Sequence, residues 1–362
     1  MAPSIEPIGA RAFDYLRGKR VMVTGVCGTV GQELAHQLLN RFEVGSLTGL
    51  DHNESELAFL QERYLRHRNT RFRLGDIRDL AVLLRETRNI DVVFHAAAYK
   101  HVYVCERSPL EAIQTNVLGV QNVIQAATEN GIERLVFTSS DKAVNPTNVM
   151  GTSKLMGERL ITAAAVDPNH SGSVFLSTRF GNVLGSRGSV VPIFRHQIRN
   201  GGPVTLSDPG MTRFIMSLDD AVRLVIESAV LARPGDVLIT KMDAIRIADL
   251  AAVIVREYAP ICGRRPQDVE ITEIGPKPGE KLYEELMNEE ETRRSVELER
   301  YFVVRPALAG LSDGMGAYDQ LVDSRVERPY NSANVSPLSQ DEIALFLERH
   351  GLLEDSRSNT RT

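Results

Sequence analysis

The sequence predicts a doubly wound α/β fold: a parallel sheet with helices on both faces, followed by a smaller lobe. Three observations carry this expectation. From Arg20 to about residue 180, short apolar runs of strand length alternate with helix-length amphipathic segments. The first run, VMVTG, leads directly into a glycine-rich turn that opens a helix. After about residue 180 the rhythm breaks, and stretches rich in Gly, Pro and Ser take over.

Each element follows in order. VMVTG is continuously apolar, as a strand covered on both faces must be. TVGQELAHQLLNRF reads as a helix with Leu34, Leu38 and Leu39 on one face. GSLTGLD is a second strand, ESELAFLQERYLRHR a second helix and RFRLGD a third strand. LAVLLRETR is helical, DVVFHAAA a strand, Asn116 to Asn130 a helix and RLVFTSS another strand. Strand–helix alternation at this pitch implies right-handed crossovers and a parallel sheet. Beyond it, GNVLGSRGS and RNGGPVTLSDPGMTR read as loops and short strands, with helices at Leu218–Leu231 and Ile247–Tyr258. Pro276 to about Leu298 reads as a Pro/Gly turn and then an acidic helix, with NEEETRRSVELER a solvated face carrying i, i+4 pairs. The expected division is a sheet domain at 18–180 with a returning segment at about 211–245, a second lobe at 181–210 and 246–350, and a disordered tail at 351–362.

Composition narrows the function. The chain has 362 residues, 43% of them apolar and 25% charged, with a net charge of −5 and interspersed signs. No bulk field therefore draws it to nucleic acid or an anionic membrane. Cys27, Cys105 and Cys262 are widely spaced and form no CxxC pair, which argues against disulfides or a metal site and for a reducing compartment. The start, MAPSIEPIGARAFDYLRGKR, lacks the apolar core of a signal peptide, and no apolar stretch approaches the ~18–20 residues of a membrane span. A cytoplasmic protein is expected.

Gly25, Gly28 and Gly31 in TGVCGTVG follow a strand and open a helix. Glycines there permit the tight turn and let backbone N–H groups, including those of Thr29 and Val30, approach a pyrophosphate at the helix's positive end. Asp51 ends the next strand about 20 residues later, the place where a carboxylate takes the adenosine ribose hydroxyls. It favours NAD and repels the 2′-phosphate of NADP, which stays the alternative. The spacing G-x-x-G-x-x-G is the short-chain dehydrogenase variant of this Rossmann-like turn. Asp76 and Ile77, after the third strand, and Ala96, after the fourth, stand where the adenine side of the cofactor is read; Asp76 reads equally as a helix N-cap.

Two further motifs bear chemistry. Asp141-Lys142 follows the strand RLVFTSS, and residues at the carboxyl ends of parallel strands face the ligand crevice. A lysine acts as a base once burial or a neighbouring cation lowers its pKa. Lys154 lies one helical turn after Met150 in NVMGTSK, on the same face. A thioether at Met150 has no proton to exchange.

HAAAYKH, TSSDKAVNPTNVMGTSK, TRFGNVLGSRGSVVP, MTRFIMSLDDAV and PGEKLYEEL together resemble the UDP-N-acetylglucosamine 4,6-dehydratases of bacterial polysaccharide pathways, within the extended short-chain dehydrogenases. The likeness covers about residues 18 to 350 and is closest to the branch with Met-x-x-x-Lys in place of Tyr-x-x-x-Lys. It implies that NAD oxidises the sugar at C4, that water leaves across C5 and C6, and that hydride returns to C6. Asp141 is then the acid at C6 and Lys142 the base at C5. Lys154 holds the nicotinamide ribose, Asn116 supports that lysine, and Lys100 with His101 faces the cofactor and substrate. Without the tyrosine, another group accepts the C4 proton: Asp141 through a water, with Ser140 holding the C4 oxygen. A UDP-linked N-acetylhexosamine is the implied substrate. Arg179, Asn182, Arg187, Arg213, Lys277, Glu280 and Lys281 are the implied groups around its nucleotide, although the family usually has Arg where Lys277 stands. The resemblance also implies a homo-oligomer, a dimer or hexamer. Retention or inversion at C5 stays open, with PYNSANVSPLS leaning to inversion. The alternatives are 4-epimerisation or a 5,6-elimination on the same scaffold, and a non-catalytic NAD(P)-binding regulator.

Overall fold

The computed structural model describes residues 8–167, 172–307, 318 and 320–354. The chain forms two units: Met1–Phe180, Asp219–Lys241 and Leu286–Pro329 make the first, and Gly181–Leu218, Met242–Glu285 and Tyr330–Thr362 the second. Helix α1 (Ile8–Leu16) precedes β1 (Arg20–Thr24), α2 (Thr29–Arg41), β2 (Ser46–Asp51), α3 (Glu54–Arg63), β3 (Thr70–Leu74), α4 (Leu80–Glu86) and β4 (Val92–His95). Short helices α5 (Val102–Arg107) and α6 (Pro109–Ile113) and a π-helical turn at Gln114–Leu118 lead into α7 (Gly119–Glu129), β5 (Arg134–Thr138), α8 (Val149–Ala165) and β6 (Val174–Arg179). The chain then builds β7 (Asn182–Val183), α9 (Val190–Arg199), β8 (Val204–Leu206) and β9 (Thr212–Met216), returns through α10 (Leu218–Leu231) and β10 (Val237–Thr240), and makes β11 (Asp243–Arg246), α11 (Ile247–Ile261) and β12 (Ile271–Glu273). The last passage holds β13 (Glu285–Met287), α12 (Glu289–Thr292), β14 (Ser295–Leu298), β15 (Tyr301–Val304), β16 (Leu321–Asp323), β17 (Tyr330–Asn331) and α13 (Gln340–Arg349).

The first unit is organised by a ten-stranded sheet in the order β16-β14-β15-β10-β6-β5-β4-β1-β2-β3. Pairing is parallel from β10 through to β3. Chain order reverses between β4 and β1, so their carboxyl ends border the crevice where doubly wound sheets take ligands. One face packs Met22, Val93, Leu135, Phe137 and Phe175 against Val123, Ile124 and Ala127 of α7. Strand β3 is the free edge, and its side chains are largely exposed.

Three features depart from the sequence reading. The acidic stretch expected as a helix is a single capped turn, α12, followed by the antiparallel strands β14 and β15, which extend the sheet beyond β10. Dense charge masked two short strands with both faces covered: Ser295, Val296 and Leu298 on β14 and every residue of β15 are buried. The pair Arg294–Glu290 is the i, i+4 contact that remains. The return to the first unit spans Asp219–Lys241 and again Leu286–Pro329, not 211–245, because β9 pairs with β7 and β11. Finally, residues 351–354 are packed: Leu352 and Leu353 lie against the second unit's core and Arg195 donates to the carbonyls of Leu352 and Glu354. Residues 355–362 of the expected disordered tail lie outside those described.

The second unit holds the three-stranded sheet β11-β9-β7 and the parallel pair β12-β8. Its core joins α9, α11 and α13 through Phe194, Ile198, Leu250, Ile254, Tyr258 and Leu347.

Candidate active site

The glycine loop is shaped by contact. Gly25 has φ +71°, and a Cβ there would lie 2.6 Å from the Ala97 backbone; one on Gly31 would lie 2.1 Å from the Gly25 carbonyl oxygen. Ala96 donates its N–H to Thr24 O, which brings the β4 end over the loop. Gly28 is the N-cap of α2 and no side chain caps that end, so its first-turn N–H groups suit an anion. Asp51 is buried; its Oδ2 accepts from Cys27 N at 2.9 Å and its Oδ1 from Asn53 N at 3.0 Å, which fixes the carboxylate beside the loop. These residues fit a dinucleotide. Asp76 accepts from Arg78 N within its own turn, whereas the N-cap of α4 is Asp79. Ile77 is buried in the core beneath Gly119.

Strand β5 delivers the chemistry-bearing cluster. Its carboxyl end runs into a 3₁₀ turn, Asp141–Ala143. Ser140 Oγ donates to Asp141 Oδ1 at 2.6 Å, and Lys142 Nζ donates to the same oxygen at 3.1 Å. Asp141 is 1% exposed, and its Oδ2 is buried without a hydrogen-bond partner among the described residues. Such an oxygen is costly to hold unless a ligand meets it.

Helix α8 packs tightly onto this turn, since a Cβ on Gly151 would lie 2.2 Å from Lys142 O. Met150 is buried in an apolar cluster with Cys105 and Ala112, edged by Tyr99. One turn on, Lys154 Nζ donates to Thr138 O at 2.8 Å and sits 4.8 Å from the Phe137 ring centroid. Burial pushes this amine down from 10.5 to about 8, against the pull of Glu158. Asn116, in the π-helical turn rather than a regular helix, clasps Tyr99 N and O and donates to Ser153 Oγ. Its link to Lys154 thus runs through α8. Lys100 is exposed in the loop after β4, and His101 is the N-cap of α5, its pKa lowered by burial and by Lys100.

Asn182, Arg187, Arg213, Lys277, Glu280 and Lys281 all belong to the second unit. Arg187, Lys277 and Glu280 are exposed, and Glu280 accepts from Lys277 N within one turn. Arg213 is buried: its guanidinium donates to the carbonyls of Thr212, Leu282 and Lys281 and lies 3.6 Å from Glu284, so it braces the PGEK loop. Arg179 is 1% exposed and fully engaged by Glu158, Glu291 and Leu286 O, which removes it from the expected nucleotide contacts.

The profile of the family described as polysaccharide biosynthesis protein matches residues 21–306. The chain belongs to that family. Among its relatives, a Methanocaldococcus jannaschii protein named as an uncharacterized membrane protein is 47% identical over 81% of this chain and 87% of its own. A Rickettsia canadensis UDP-glucose 4-epimerase is 38% identical over 94% of this chain and 98% of its own. A Campylobacter jejuni UDP-N-acetylglucosamine 4,6-dehydratase (inverting) is 35% identical over 80% and 84%. The solved structure of Pen from Bacillus thuringiensis is 37% identical and superposes with a TM-score of 0.87 over 94% of this chain and 100% of that one. The chain spans about half, 46%, of two other relatives, capsular and polysaccharide biosynthesis proteins.

Within this family member, sequence reasoning missed two buried groups. His95, at the end of β4, bonds Thr24 Oγ1 through Nδ1 at 2.6 Å, and burial with nearby Lys154 lowers its pKa to about 3. Its place in the HAAA run was the available signal. The Arg179 cluster had a partial one, because Glu158 follows Lys154 at i+4. Among the described residues, no helix is long and apolar enough to cross a membrane and no group of three or more His, Cys, Asp or Glu side chains is arranged to hold a metal.

Proposed function

We propose that the protein is a UDP-N-acetylglucosamine 4,6-dehydratase that recycles its own NAD, yielding a 4-keto-6-deoxy sugar nucleotide. The observation that carries this reading is the Ser140–Asp141–Lys142 cluster: a hydroxyl, a carboxylate and an amine within 2.6 and 3.1 Å, with one carboxylate oxygen left unpartnered. NAD, when bound, takes the hydride from C4 and returns it at C6, so none is consumed. The uncapped end of α2 would hold its pyrophosphate, Asp51 its adenosine ribose and Lys154 its nicotinamide ribose. Lys100 and Ser140 would meet the nucleotide sugar; Asn182, Arg187, Lys277 and Glu280 stand as candidates for its nucleotide by the family resemblance alone, while Arg213 is committed to the PGEK loop. Self-association follows the family resemblance.

With Met150 unable to exchange a proton, the C4 hydroxyl proton passes to Ser140 Oγ while the serine's own proton passes to Asp141. Asp141, now neutral, gives that proton to the C6 oxygen as the C6–O bond breaks and water leaves. Lys142 enters the step as the neutral amine, one N–H donated to Asp141 Oδ1, and removes the C5 proton. Lys142 returns it to C5 when C6 is reduced, so protons balance over the cycle.

A second reading, 4-epimerisation of a UDP-hexose, is supported by the Rickettsia relatives that match over nearly their full length. Proton NMR of the protein with UDP-N-acetylglucosamine in deuterated water, with no cofactor added, separates the two. Appearance of a C6 methyl signal with loss of the C5 proton is the expected result, and C5 couplings then assign retention or inversion. Conversion to the galacto isomer with C6 intact would replace the dehydratase with the epimerase.

A further inference from the structure

We propose that the free β3 edge of the main sheet docks the protein peripherally on an anionic lipid bilayer. The net charge of −5 conceals a local reversal: between residues 63 and 73 stand Arg63, Arg66, Arg68, Arg71 and Arg73, with no carboxylate among them. All five are exposed. Arg73 lies 3.4 Å from Glu86 and Arg63 bonds Gln32, while Arg66, Arg68 and Arg71 make no ion pair or hydrogen bond among the described residues. Charges held apart from counterions in this way set up a positive field at one edge.

Apolar side chains stand in the same stretch. Leu65 is 70% exposed, Phe59 67% and Leu74 59%. One exposed leucine is ordinary, but three along an arginine strip suit a headgroup and acyl boundary. Between them Tyr64, His67, Arg68, Arg71 and Arg73 line a groove of about 280 Å³, room for a phosphodiester headgroup.

Two other accounts fit less well. Charges on an edge strand block sheet-to-sheet pairing, which would explain Arg71 and Arg73 on β3 but not the three arginines before it. A single-stranded nucleic acid would need a row of stacking platforms within the groove, and its aromatics are covered: Tyr64 is 6% exposed and Phe72 half-buried, with Phe59 outside the lining.

The test is co-sedimentation of the full chain with phosphatidylcholine vesicles, with and without phosphatidylglycerol, at low and high salt. The wild type should pellet only with the anionic vesicles and should be released by salt. Each basic residue near such a surface strengthens binding by about fivefold, so the triple variant Arg66→Glu, Arg68→Glu, Arg71→Glu should lose more than ~100-fold. Leu65→Ser should weaken pelleting by a smaller factor that salt does not change. Circular dichroism and melting should match the wild type in both variants. Failure of the wild type to pellet with anionic vesicles would overturn the proposal. So would equal pelleting of the folded triple variant, or binding of a single-stranded oligonucleotide in preference to vesicles.

Discussion

Lys154 illustrates how burial sets both reactivity and cost. Its folded pKa, about 8, lies below its ordinary 10.5, so the unfolded chain binds the proton more tightly between those values. The penalty is complete below about pH 8 and is relieved as pH climbs toward 10.5, amounting to roughly 3 kcal/mol. The stability of the wild type relative to Lys154→Met, from urea melts, should therefore rise across that window and stay flat from pH 6 to 7. Ser140 is a sharper test of mechanism. On the proposed mechanism, removing the Ser140 hydroxyl that bonds Asp141 should lower kcat by about 10²–10³ and leave KM nearly unchanged. Asp141→Asn should do more, because it loses both the acceptor at C4 and the acid at C6. The sequence singles these residues out because each sits at a strand end or at a fixed helical spacing, and the structure puts Ser140, Asp141 and Lys142 in one hydrogen-bonded cluster. Arg179 was not: its carboxylates come from positions 158 and 291, and no local period announces such a meeting.

Helices read well wherever one face is apolar. Leu218–Leu231 has the bounds the sequence suggested, and its buried side includes Val222, Val225, Ile226 and Ala229. The strands β14 and β15 were hidden because Glu and Arg crowd the residues before and between them, and charge density imitates a solvated helix. Helix ends offer clean measurements. Asp79 accepts from Ala81 N and Val82 N, so Asp79→Ala should cost about 1 kcal/mol in denaturant titration, while Asp76→Ala should cost less because it accepts only from Arg78 N and its ion pair with the Arg78 guanidinium is long, 4.0 Å, and partly exposed. Gly31→Ala should abolish NAD binding or folding outright, since the added methyl would meet the Gly25 carbonyl at 2.1 Å.

Over the whole molecule, the change of rhythm after about residue 180 falls where the first unit gives way to the second, at Phe180 and Gly181, but the later crossings were not visible. A chain that crosses between units several times leaves no composition change at each crossing, and β9 and β10 read alike as short apolar runs. The three-part ion cluster gives a global prediction. Glu291→Gln leaves Arg179 paired with Glu158 alone and weakens two charge-assisted bonds in a dry site, and should lower unfolding free energy by about 2–3 kcal/mol. Thermal unfolding with and without added NAD would then separate lost stability from lost cofactor affinity, because ligand binding raises the melting point only in proportion to occupancy of the native state.

The same cluster bears on how the protein is made. Glu158 on α8 and Arg179 on β6 are translated early, yet the second carboxylate and the Leu286 carbonyl arrive more than a hundred positions later. Until they emerge, the guanidinium packed at α8 lacks two of its three partners. A ribosome-bound chain halted before Leu286 should accordingly hold a loose α8, with Lys154 open to amine-reactive labels. Protection from labelling would appear only once Glu291 has cleared the exit tunnel, which makes synthesis past that carboxylate the event that sets Lys154 in place.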